Sequence, residues 1–159
     1  MATRPLTGLV AGLLAGAAGV TAHNAVNYVH QAVTGKSAPS SPASGVPANT
    51  ADGAADTSSK HQAAAAGPLG GTVLGLVVGA VAGSLRGVAS TPPQPVASAL
   101  VGLAAWGSAV AAAAATGSAP TTDAEQTLVD ALSHLAFGVV TVLTLHQLVD
   151  PRTAVVGRR

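Results

Sequence analysis

No cysteine occurs in this chain. That excludes disulfides, thiolate metal sites and a cysteine nucleophile. The aromatic residues are three, Tyr28, Trp106 and Phe137, too few for a base-stacking platform or an aromatic belt at a membrane surface. Charged residues make up 8% of the chain, against about 25% in ordinary soluble domains, and a solvated surface cannot be built from so few. A net charge of +1 gives no overall field for nucleic acid or for strong attraction to anionic lipid.

Catalytic patterns are missing as well. No G-x-S-x-G elbow occurs, and no Lys follows the glycines as a phosphate-binding P-loop requires. G-x-G-x-x-G is absent; Gly70-Gly71 is the nearest approach to it. The apolar runs Leu6–Ala22, Pro68–Leu85, Pro95–Ala115 and Ala131–Val149 carry no carboxylate, which argues against a proton-coupled transporter. The residues therefore name no enzyme, cofactor or metal.

What is present is glycine at a fixed spacing. Gly67, Gly71, Gly75, Gly79, Gly83 and Gly87 recur every four residues, with Leu, Val and Ala between them, and no charge lies between Pro68 and Leu85. In water each helical Gly costs about 0.8–1 kcal/mol relative to Ala. In a bilayer the cost is offset, because small residues four apart let another backbone approach closely. A second such ridge is Gly8, Gly12 and Gly16.

The chain reads as four membrane helices. The first covers 5–34, entered through Pro5 and capped at Gly35. A rival reading of Arg4, the apolar run and Val20-Thr21-Ala22 is a signal peptide cleaved after Ala22, but the helical period continues beyond that point. Residues 36–66, rich in Ser, Pro, Ala and Asp, form a polar flexible loop. The remaining helices cover 68–86, with Pro68 in the first turn, then 95–115 and 129–149, the last stopped by Asp150-Pro151. The expected fold is all-α, a multi-pass bundle of four transmembrane helices with glycine-zipper packing in a single membrane domain.

An even number of spans puts both termini on one side. Arg4, Arg86, Arg152, Arg158 and Arg159 fall on that side, while Lys36 and Lys60 fall opposite with Asp52 and Asp56. The third loop is acidic. The positive-inside rule makes the termini cytoplasmic in a bacterial plasma membrane.

Polar residues gather at one end of this arrangement. His23, Asn24, Asn27, His30 and Gln31 lie within an arc of about 120° on the first helix, at 100° per residue. Asp130 and His134 share a face at the start of the fourth. Interhelical hydrogen bonding is the plainer role for such groups; a site for a proton, metal ion or small polar ligand is the sharper one. Zinc is disfavoured, since His23 and His30 are seven apart. His146 belongs to the cytoplasmic end, and His61 to the loop.

Thr21-Ala22-His23-Asn24-Ala25 with Tyr28 and Gly35 resembles the opening helix of a group of small actinobacterial membrane proteins, T-A-x-N-A-x-x-Y. His134-Leu135-Ala136-Phe137-Gly138 resembles the H-L-A-[YF]-G segment of their last helix. The resemblance touches the first and fourth helices only. That group has no assigned function. The resemblance implies an integral membrane protein that keeps its first helix, with Asn24, Tyr28 and His134 as family features of no stated role.

Two functions of different class follow. One is a structural or accessory protein that packs on the bilayer's lipids and on its own copies, or on a larger complex, through the glycine ridges. The other is a binding or transport module using His23, Asn24, Asn27, His30, Asp130 and His134. A pore-forming oligomer is a weaker third.

Overall fold

A computed structural model describes residues 3–36, 57–86, 92–115 and 123–149. They form α1 (Thr3–Thr34), α2 (Thr57–Arg86), α3 (Gln94–Ala115) and α4 (Ala124–Val149), and no strand occurs among the described residues. All four helices are long and apolar enough to cross a membrane.

α1 runs unbroken through Ala22 and ends in Gly35, whose positive φ of 67° and 2.8 Å bond from its N–H to the Gln31 carbonyl make it the expected C-terminal cap. Two helices start earlier than expected. α2 begins at Thr57, not Pro68, so residues 57–66 are helix where a loop was expected. The four alanines from Ala63 to Ala66 are the best helix formers available, and they carry the helix across the proline. α4 begins at Ala124, not at 129, because Asp123 caps it: its Oδ1 accepts from the Glu125 N–H at 3.1 Å. The remainder of the loop, 37–56, lies outside the described residues.

α1 and α4 form the inner pair, with α2 against α1 and α3 against α4. The α1–α2 seam is antiparallel and almost bare of side chains. Gly8 faces Gly83, Gly12 faces Gly79 and Gly16 faces Gly75. A Cβ added at Gly8 would stand 2.6 Å from the Gly83 carbonyl oxygen, and one at Gly16 2.7 Å from that of Gly75. Gly71 meets nothing within 4 Å, Gly67 lies among the α2 residues whose side-chain surroundings are not described, and Gly87 is outside the described residues. A second close seam joins α3 to α4. A Cβ at Gly102 would come within 2.8 Å of the His134 carbonyl, and one at Gly138 within 2.7 Å of the Gly102 nitrogen.

The interior is correspondingly small-featured: Ala11, Ala15, Ala105, Ala109 and Ala113 are buried, with Phe137, Val142 and Leu145 as the larger members. Leu6, Val10, Leu14, Leu103 and Leu132 are exposed. Small residues inside and large apolar ones outside are what a bundle in lipid requires, since lipid tails are as apolar as Leu. The stretch Leu6–Thr34 has 29 residues and rises about 44 Å, well beyond the hydrocarbon thickness of about 30 Å. Helix α1 is therefore longer than an untilted crossing needs.

Candidate functional site

The antiparallel packing of α1 on α4 brings the second half of one against the first half of the other. His23 meets His134, with ring centroids 4.7 Å apart and planes at 75°. Phe137 and Thr141, further down α4, face Gly19 of α1.

His134 is buried, and its Nδ1 lies 2.8 Å from the Asp130 backbone carbonyl and 3.3 Å from Asp130 Oδ1. A carbonyl only accepts, so Nδ1 carries the proton and Nε2 is left as an acceptor when the ring is neutral. Asp130 Oδ2 accepts a 2.8 Å bond from the Trp106 indole N–H of α3. One carboxylate thus ties α3 to α4 beneath the His23–His134 pair.

One to two turns further along α1, His30 Nε2 is 3.2 Å from Glu125 Oε1. The other oxygen of Glu125 pairs with Lys36 Nζ. That bond, with the nearby carboxylate charge, raises the Lys36 pKa above its ordinary value. In the neutral ring, with Nε2 donating to the carboxylate, Nδ1 of His30 is an acceptor. It is buried without a hydrogen-bond partner, as is Asn27 Oδ1 one turn away on the same face. Thr141 Oγ1 is the third such atom among the described residues.

The structure therefore joins His23 to Asp130 and His134, and lines up Asn27 and His30 beside them. It leaves out Asn24, which is exposed at the edge of the polar arc. His146 lies at the other end of the bundle, its Nδ1 accepting from Arg86 at 2.8 Å. The side chain of His61 is outside the described region. Among the described residues no group of three His, Asp or Glu is placed to hold a metal ion.

Sequence reasoning missed Trp106, Glu125 and Lys36. The Asp123-x-x-Gln126 capping pattern could have extended α4 to include Glu125. The extension also corrects an expectation: Glu125 and Asp130 both fall within the apolar stretch Ala124–Val149, so the spans are not free of carboxylates. No family model, curated protein or solved structure matches this chain.

Proposed function

We propose that the chain is a multi-pass membrane protein acting as a binding module for a small hydrogen-bond-donating solute, an ammonium or primary amine, at the end of the bundle formed by α1 and α4. The observation that carries this is the pair of unpartnered buried acceptors, Asn27 Oδ1 and Nδ1 of the neutral His30 ring, whose other nitrogen contacts the Glu125 carboxylate. A burial without a partner costs about 1–3 kcal/mol per polar group, and a helix that needed only interhelical glue would not retain it. Two acceptors and a nearby carboxylate match a donor with positive charge. In this reading both termini are cytoplasmic, the membrane is the bacterial plasma membrane, and the likeness to the actinobacterial group supplies the lineage.

The test is thermal unfolding in lipid nanodiscs with ammonium, methylammonium or sodium chloride. Ammonium or methylammonium raises the Tm of the wild type relative to sodium, and Asn27→Leu loses that increment. An equal response to all three salts, or the same increment in Asn27→Leu, sinks the reading.

An accessory subunit or homo-oligomer is the second reading, and a different observation favours it. Gly8, Gly12 and Gly16 of α1 are occupied by α2 and Gly19 by α4, so association has to use other faces; Gly71 and Gly107 have open space where a Cβ would go. If Gly71→Leu and Gly107→Leu leave a detergent-purified oligomer intact, this reading fails; dissociation with the helices retained supports it.

A further inference from the structure

α2 and α3 stand apart over a groove of about 470 Å³ whose floor is α4. Its walls are Val77, Val81 and Leu85 on one side and Leu100 and Val101 on the other, with Leu145 below. Four of these wall residues, Val77, Val81, Leu85 and Leu100, are also exposed, so the groove opens sideways to the surroundings of the bundle. Those surroundings, for helices of this length and hydropathy, are acyl chains. Every lining side chain is apolar except Arg86, in the last turn of α2.

Among the described residues, Arg86 is held in place by a neutral partner. Its guanidinium has five donors and can only donate, so His146 Nδ1 accepts one of them as a neutral ring. Among the described residues no carboxylate pairs with Arg86. An apolar trough ending in one fixed positive charge at the bundle's edge complements a molecule with an apolar tail and an anionic head. The volume is that of a small-molecule site. A membrane-spanning helix, about 30 Å long and at least 10 Å wide, is several times too large. Basic pockets at the cytoplasmic ends of membrane helices bind anionic headgroups on the same physics. The low net charge of the chain does not bear on this, because the attraction is that of one positioned guanidinium at short range.

We propose that this groove seats one acyl chain of an anionic membrane phospholipid, with its phosphate on Arg86. The site lies at the opposite end of the bundle from the polar cluster and does not depend on it.

The experiment uses the full chain in phosphatidylcholine nanodiscs. They contain a minor fraction of phosphatidylglycerol bearing a photoactivatable acyl chain, or the same label on phosphatidylcholine. The glycerol lipid is expected to label groove residues of α2, α3 and α4 several-fold more than the choline lipid. Arg86→Gln should bring labelling down to the choline level, and Arg86→Lys should largely restore it. Ala104→Trp, which fills the groove from an exposed position on α3, should remove labelling by both lipids. Equal labelling by the two lipids in the wild type overturns the proposal. So does labelling spread outside the groove, or a protein–protein crosslink across it from a second copy or a partner helix. If Arg86→Gln fails to fold, the wild-type comparison and Ala104→Trp still decide the matter.

Discussion

Asp130 is the point where polar atoms of three helices converge: its own α4, α3 through Trp106, and α1 through the His23 ring packed on His134. Removing the indole donor leaves a half-buried carboxylate oxygen without its partner. Trp106→Phe should therefore cost about 1.5–3 kcal/mol, the worth of a hydrogen bond to a charged group, read as a lower unfolding midpoint in detergent. Asn27→Leu should act the other way. It removes an orphaned acceptor, and stability should rise by about 1–3 kcal/mol while the response to ammonium is lost. A fall in stability would mean that Asn27 has a structural partner. The Asp130–His134 contact was legible from the sequence, because residues four apart on a helix are neighbours. The Trp106 contact was not, since it depends on how far α3 slides along α4.

At the scale of the helix, the informative comparison is between two glycines. At Gly12 a Cβ would collide with the Gly79 carbonyl and come within 2.8 Å of the Ala80 Cα; both are backbone, and neither can move without parting the helices. At Gly107 nothing lies within 4 Å. Gly12→Leu should open the α1–α2 seam and expose α1 to limited proteolysis, whereas Gly107→Leu should leave the proteolysis pattern unchanged. Equal tolerance would refute the seam. The start of α4 offers a second test. Asp123→Ala removes the cap, at a cost of about 0.5–2 kcal/mol, and should speed amide exchange over residues 124–127. The glycine ridges were plain in the sequence, as runs with a spacing of four. Which ridge meets which was not, because a ridge specifies close approach but names no partner.

For the whole molecule, the proposed orientation rests on the arrangement of charges, with every Arg on the side of the termini. A single cysteine is a clean reporter in a chain that has none. Lys36→Cys should react with an impermeant maleimide in intact cells, and Ala2→Cys only after permeabilisation; the reverse pattern would invert the topology. The Lys36–Glu125 bond ties the end of α1 to the start of α4. Because the folded state raises the Lys36 pKa, its contribution is fully present below the ordinary value of 10.5 and is lost as pH climbs through the raised value. Unfolding midpoints of the wild type and Lys36→Gln should thus differ at neutral pH and converge in strong alkali. Both side chains are well exposed, so the difference is small.

The sequence by itself determined the all-α class, the number of helices, their fitness to cross a membrane and the ends of α1 and α3, but not where α2 and α4 begin. Those follow from local quantities: hydropathy summed along a run, a four-residue glycine period, a glycine able to take positive φ at position 35. The tertiary structure alone decided that the ridges of α1 and α2 pack on each other, that Glu125 reaches His30 and Lys36, and that α2 and α3 leave a groove ending at Arg86. These are contacts between helices distant in the chain. In lipid they are set by shape and hydrogen bonding rather than by hydrophobic burial, and so leave no trace in a hydropathy pattern.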